Sequence, residues 1–241
     1  MSFISVEDIG IQAVSHSRMK THEGCARKAK YKFIDRLKEP SNEAMERGLQ
    51  KHKELEHWVN TMAGHAVHED YDGSKIRGGI YDTIREHYAQ DLLGKRQAEH
   101  YKVSAEMQVA FNREWEVCDW FGPQTWMRVV FDLVGISPCG NHIVLYDWKT
   151  GKIYPDHDEQ ADLYAVAGYY MGAASVDVKF FYLDQNTVQP YNYDRDELES
   201  LVEKVEARAK AVTSDRIYAT NPSWRCQYCH FRAENGGPCP H

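Results

Sequence analysis

The stretch His142-Ile143-Val144-Leu145-Tyr146-Asp147-Trp148-Lys149-Thr150-Gly151-Lys152 constrains the fold of this chain more than any other. It reads as a buried strand that ends in an acid, one spacer and a lysine. Side chains alternate along a strand, so Asp147 and Lys149 share a face, about 7 Å apart along it. A carboxylate there can hold a divalent cation, and an ammonium beside it can face a water or a phosphate. A lone acid-x-lysine on an edge strand equally describes a solvated ion pair, so the weight falls on the rest of the chain.

The 241 residues suit one large domain, or one domain with an appendage, and a 42% hydrophobic fraction is enough for a packed core. No apolar run is long enough to span a membrane and no signal peptide is visible, so a cytoplasmic protein is expected. The formal net charge of -7 argues against a general nucleic-acid coat protein. It does not argue against an enzyme that needs acids for a metal and cations only in one groove.

Taken in order, Ser15 to Leu37 is rich in basic residues with interleaved aromatics. A turn, then a helix from about Cys25, is expected there, with a basic face that could track a phosphate backbone and Tyr31 or Phe33 packing inward. Glu43 to Met62 has strong helical character, with Leu49, Leu55, Val59 and Met62 as its apolar stripe and His52 admitted to it. Gly48 costs such a helix about 1 kcal/mol relative to alanine, which hints at a close approach. Residues 63 to 79 read as a loop and Ile80 to about Tyr101 as a helix.

Ser104 to Val117 reads as a hairpin in which Val103, Ala105, Met107, Val109 and Phe111 share one face, Glu106 takes the other, and Asn112-Arg113 turns. Trp126 to Ile136 is a further strand carrying Asp132 in an apolar run. A buried carboxylate is costly unless a partner or a metal meets it, and Arg128 is the ordinary partner to consider. Two neighbouring strands would then bring Asp132 and Asp147 to one region as a metal pair. Asp156 to Met171 is expected to be a helix with Gln160 and Tyr164 on one face. Asp177 to Asp184 should be a strand, residues 187 to 193 its partner, and Asp194 to Val212 a charged helix.

Six cysteines without a signal peptide suggest thiols or metal ligands rather than disulfides. Cys226, Cys229 and Cys239 crowd a Gly/Pro-rich tail whose C-x2-C spacing chelates. Cys25 is the natural fourth ligand, and His230 or His241 in its place would favour zinc. A tail with little core of its own needs such a staple.

In this order, the motifs resemble the RecB-type branch of the PD-(D/E)XK nuclease superfamily. Gly48 to Glu56 is similar to the helix that supplies the family histidine, here His52. Asp132 in Val-Val-Phe-Asp-Leu-Val-Gly-Ile is similar to the first acid. Asp147-Trp-Lys149-Thr-Gly resembles the D-x-K-T-G strand, and Gln160-Ala-Asp-Leu-Tyr164 the Q-x-x-x-Y helix. One upstream cysteine and three near the end resemble the iron–sulfur members, which include CRISPR-associated exonucleases and phage or prophage nucleases. The spacing from Cys229 to Cys239 is longer than in that pattern, which leaves zinc open as the alternative.

The resemblance implies an α/β fold with a restriction-endonuclease-like core: a central mixed sheet flanked by helices. One nuclease domain, 1–241, is expected, with a mainly helical part over 15–103, a catalytic core over 104–212 and the cysteine tail over 213–241. It implies a Mg2+- or Mn2+-dependent deoxyribonuclease, with exonuclease action on single strands or ends. His52, Asp132, Asp147 and the Trp148 carbonyl would hold the metal. Lys149 would act on the water and the transition state, and Gln160 and Tyr164 would position Lys149 or the substrate. Cys25, Cys226, Cys229 and Cys239 would hold a [4Fe–4S] cluster. A helicase, recombinase or CRISPR adaptation partner would be a separate chain. The rival class is a nucleic-acid-binding or end-processing factor that acts only with partners.

Overall fold

The structure, a computed structural model, describes residues 10–65, 76–94, 99–155 and 157–241. Helices α1 (His16–Gly24), α2 (Ala26–Phe33), α3 (Glu43–Met62) and α4 (Ile80–Leu92) come first. Strands β1 (Lys102–Phe111), β2 (Val117–Cys118), β3 (Met127–Ile136) and β4 (His142–Lys149) follow. After them come α5 (His157–Tyr170), β5 (Ser175–Tyr182), β6 (Thr187–Tyr193) and α6 (Leu198–Ser214). The six strands form one mixed sheet in the order β2-β1-β3-β4-β5-β6, flanked by helices as expected. Every neighbouring pair is antiparallel except β4 and β5, which run parallel and are joined through α5. No helix among the described residues is long and apolar enough to cross a membrane.

The sheet carries a core on each face because its central strands alternate. Ile143 and Leu145 of β4 pack with α5 and α6, while Val144, Tyr146 and Trp148 pack with α3 and α4. A strand buried on both faces needs the near-continuous apolar run that His142–Lys149 supplies. Asp147 has the parity of Ile143 and Leu145, so it faces α5.

The strand pair β1–β3 departs from simple alternation. Val103 and Ala105 pack toward α3 and α4, whereas Met107, Val109 and Phe111 pack toward α5 and α6. In β3 the same inversion falls between Phe131 and Leu133. The ladder pairs Ala105 with Leu133 and Met107 with Phe131 but skips Glu106 and Asp132 between them. Glu106 has φ 47°, a left-handed conformation that costs a non-glycine residue about 1–2 kcal/mol. The single apolar face expected for residues 103 to 111 is therefore split between two cores, because this local twist exchanges the faces. The expected hairpin is minor: β2 is two residues long, and β1 pairs chiefly with β3.

Other boundaries shift for physical reasons. The turn expected before Cys25 is a helix, α1, started by the Ser15 side chain, which accepts from Arg18 N. Helix α3 has the expected bounds, but Leu49 and Met62 are exposed and the buried stripe is Leu55, Trp58 and Val59. The helix expected to reach Tyr101 ends at Leu92. Much of the loop expected over 63 to 79 lies outside the described residues, as does Asp156 at the expected start of α5.

The tail docks on α1 and α2. Arg27 N donates to the Ala219 carbonyl at 3.1 Å, Asn221 Nδ2 to the Gly24 carbonyl at 3.1 Å, and the Tyr31 hydroxyl to the Pro238 carbonyl at 3.3 Å. Tyr31 packs inward against Phe231, ring centres 5.5 Å apart. A side chain on Gly237 would lie 2.2 Å from the Phe231 backbone, so only glycine closes this turn.

Candidate active site

Asp147 is buried at the end of β4, and three groups converge on it. Gln160 Nε2 donates to its Oδ1 at 2.8 Å, and the Tyr164 hydroxyl lies 2.8 Å from the same oxygen. Lys149 Nζ stands 2.6 Å from Oδ2 and donates to Gln160 Oε1 at 2.6 Å. Gln160 Nε2 also reaches the Tyr164 hydroxyl at 3.0 Å. The expected helix face in α5 thus meets the expected strand face in β4. The Lys149 ammonium further lies 4.7 Å above the centre of the Phe180 ring, a favourable cation–π position. Burial and the Asp147 charge hold the Tyr164 phenol protonated, well above its ordinary pKa. Asp147 Oδ2 is buried, and the Lys149 ammonium is the cation that meets it.

Asp132, on the neighbouring strand, lies at the ladder fault. Its Oδ2 accepts from the Trp148 backbone N–H at 2.7 Å, which ties β3 to the acid-x-lysine segment directly. Its Oδ1 is 3.3 Å from His52 Nδ1. The Arg128 partner does not form: Arg128 Nε donates to the Trp120 carbonyl at 2.8 Å. Four residues span about 13 Å along a strand, too far for that ion pair.

Glu106, which the sequence offers as a further acid near a site or as a solvated glutamate, stands beside His52 and Asp132. Its Oε1 lies 4.0 Å from His52 Nδ1, and the ligand atoms of His52, Glu106 and Asp132 all fall within 4.8 Å of one another. It arrives there through its left-handed backbone, which period-2 alternation does not anticipate. The available signal was an acid in the strand that precedes the one carrying Asp132.

The charges are mutually adjusted. Burial and the Asp147 charge raise the Asp132 pKa, while the His52 imidazole pulls against them. Burial works against the charged form of His52, but the Asp132 carboxylate outweighs it and lifts the pKa to about 9. Burial, then the Asp132 charge, pushes Glu106 up to about 7. A divalent cation would relieve this accumulation of carboxylates and displace its protons.

Helix α3 is held against this site at two points. Gly48 lies where a side chain would come 3.1 Å from Thr150 Oγ1, the close approach that its presence in a helix suggested. Arg47 pairs with Asp184, whose Oδ2 also accepts from Gly151 N at 2.7 Å. The helix bearing His52 is thereby fastened to the turn that follows Lys149.

The four cysteines Cys25, Cys226, Cys229 and Cys239 are half-buried free thiols lining one groove. Among the described residues, no three of their sulfurs lie within 4.8 Å of one another. Tetrahedral zinc with bonds of about 2.3 Å needs sulfurs roughly 3.8 Å apart, a tighter arrangement. His241 lines the same groove, while His230 packs edge-on against Phe231. Cys118 and Cys139 stand apart from this groove.

The solved structure of the protein SSO0001 is similar, with a TM-score of 0.40 and 14% identity over 95% of this chain and 86% of that one. No curated protein matches the chain. The model of the PD-(D/E)XK nuclease superfamily matches residues 13–233, which include every residue placed around Asp147 and Asp132. With nearly all of its 241 residues inside that match, the chain belongs to the PD-(D/E)XK nuclease superfamily.

Proposed function

We propose that the protein is a Mg2+- or Mn2+-dependent deoxyribonuclease that hydrolyses phosphodiester bonds as an exonuclease on single strands or DNA ends. The observation that carries this reading is the placement of Asp132, Asp147 and Lys149 on the adjacent strands β3 and β4, with Asp132 bound to the Trp148 N–H between the other two. His52, Asp132, Asp147 and the Trp148 carbonyl are the assigned metal ligands, and Glu106 joins them on its distance from His52 and Asp132. The grouped ligand atoms of His52, Glu106 and Asp132 fit such an ion. A divalent ion bound there supplies Lewis-acid chemistry and lowers the pKa of water. Lys149 orients the attacking water and balances the negative charge that grows on the phosphate oxygens. Gln160 aims the Lys149 ammonium, and Tyr164 fixes the Asp147 carboxylate.

The same reading gives Cys25, Cys226, Cys229 and Cys239 a [4Fe–4S] cluster. A single zinc ion on the same cysteines is the alternative. The cluster's role is to fasten the tail to α2.

The deciding experiment is cleavage of single- and double-stranded DNA labelled at either end, with Mg2+, Mn2+ or EDTA, comparing the wild type with Lys149→Ala. Metal-dependent loss of label that disappears in the variant is expected, and the label retained gives the polarity. Equal activity in both proteins would sink the assignment. Binding without cleavage, in protein prepared without air, would shift the reading to a partner-dependent binding factor.

A further inference from the structure

A groove of about 1050 Å3 runs between α1, α2, the segment after β4 and the tail. Tyr154, five residues beyond Lys149, lines it, as does Glu159, which precedes Gln160 in the chain. Its outer wall is the cysteine tail.

The lining is basic on a chain whose formal net charge is -7. Lys20, Arg27, Lys28, Lys32, Arg225 and Arg232 face two carboxylates, Glu23 and Glu159. Both carboxylates are already bound by Arg208, at 2.7 and 2.8 Å. Lys28 and Lys32 share Glu39, and Arg232 pairs with Glu234, which discounts those three. Arg27 and Arg225 carry most of the remaining field. Arg27 Nε is buried with no hydrogen-bond partner.

The groove also displays rings. Trp224 is 70% exposed and Tyr228 75% exposed, with ring centres 6.3 Å apart, and Tyr154 is half exposed. Large rings left open to water mark contact surfaces. A cation stands over two of them: Arg225 at 5.6 Å from the Trp224 centre and Lys20 at 5.6 Å from that of Tyr154. Rings for bases, interleaved with cations for phosphates, are what an unpaired strand requires. A duplex hides its base faces and gains nothing from the rings. An acidic peptide would use the cations but leave the rings without flat partners.

We propose that this groove holds single-stranded DNA, with bases stacked on Trp224 and Tyr228 and phosphates against Arg27 and Arg225, and that it feeds the strand to the Asp147–Lys149 centre. The proposal deepens the nuclease reading and rests on it for the direction of travel. It makes the cysteine tail part of the substrate surface, with Cys226 and Cys229 holding the turn that presents both rings.

The test measures fluorescence anisotropy of a labelled oligothymidylate, and of an abasic strand of equal length, on the full chain without added divalent metal. The protein pair is wild type and Trp224→Ala/Tyr228→Ala; both rings are mostly exposed, so their removal opens no cavity. Affinity for oligothymidylate should fall about tenfold or more, affinity for the abasic strand should barely change, and Trp224→Phe/Tyr228→Phe should restore most of the loss. In parallel, hydrolysis of thymidine 5′-p-nitrophenyl phosphate with Mn2+ reports the chemistry without the groove. It should be unchanged in the Ala pair, while KM for a long strand rises and kcat is kept. Equal affinity of wild type and Ala pair for oligothymidylate overturns the groove, whatever the nuclease does. Ring-dependent binding by a wild type that hydrolyses neither substrate keeps the groove and removes the nuclease reading.

Discussion

Around Asp147, side chains from β4 and α5 converge within hydrogen-bond distance on a strand buried on both faces. In the tail, Phe231 is the single buried residue between Ala219 and His241, and four thiols stand without bonds to one another. The first region inherits its order from the core, since the residues beneath it must pack whether or not anything binds. The second has almost no core, so its order depends on the few contacts to α1 and α2 and, on the proposed reading, on what its sulfurs hold. Chemistry and strand-holding are thus built on foundations of different strength, and they should fail separately.

The largest separation should come from Lys149→Ala. Metal-dependent cleavage should drop on the order of a hundredfold or more, while thermal unfolding and the metal content of the tail stay near wild type. A parallel fall in iron or zinc would break the comparison. Phe231→Ala strikes the other side: losing a buried aromatic costs about 3 kcal/mol or more. Limited proteolysis should cut near Ala219 while the remaining fragment keeps its circular dichroism. Cys226→Ser should lower bound iron by chemical analysis and weaken oligothymidylate binding, yet spare hydrolysis of the small diester.

Smaller effects sharpen the account of Glu106. Glu106→Gln should weaken Mn2+ binding by roughly tenfold in calorimetry, as loss of a ligand or its hydrogen-bonded support does. Glu106→Gly should recover about 1 kcal/mol of stability, because glycine takes φ 47° without strain. The subtlest test is pH. The folded-state pKa of His52, about 9, is raised above its ordinary 6.5, and that of Glu106, about 7, above its ordinary 4.5. Groups with raised values contribute stability that is present below the unfolded pKa and lost as pH rises through the folded one. The metal-free protein should therefore lose thermal stability between about pH 4.5 and 9, the part above 6.5 belonging mainly to His52 and absent in His52→Ala. Mn2+ affinity should rise over the same range, since binding displaces these protons.

Much of the site could be read because its parts lie on regular elements. The apolar run of β4 fixes the shared face of Asp147 and Lys149, and helical spacing does the same for Gln160 and Tyr164. What escaped reading lay where regularity breaks. Period-2 alternation assigned residues 103 to 111 to one face, and a left-handed glutamate, which no propensity favours, exchanged that face midway. Glu106 could be read as a further acid near a site, but not as a neighbour of His52, for the same reason. Leu49 and Met62 matched a helical stripe, but α3 meets the sheet over only part of its length, so they stay in water. Helix α1 was hidden because its single buried residue, Met19, leaves no apolar period to detect.

The face exchange at Glu106 and Asp132 has a mechanical consequence. Each of β1 and β3 begins in one hydrophobic layer and ends in the other, like a stitch passed through two sheets of cloth. Neither layer can peel away without pulling its half of both strands out of register. The two layers should exchange their amide hydrogens as one unit, with the acid cluster sitting on the stitch itself.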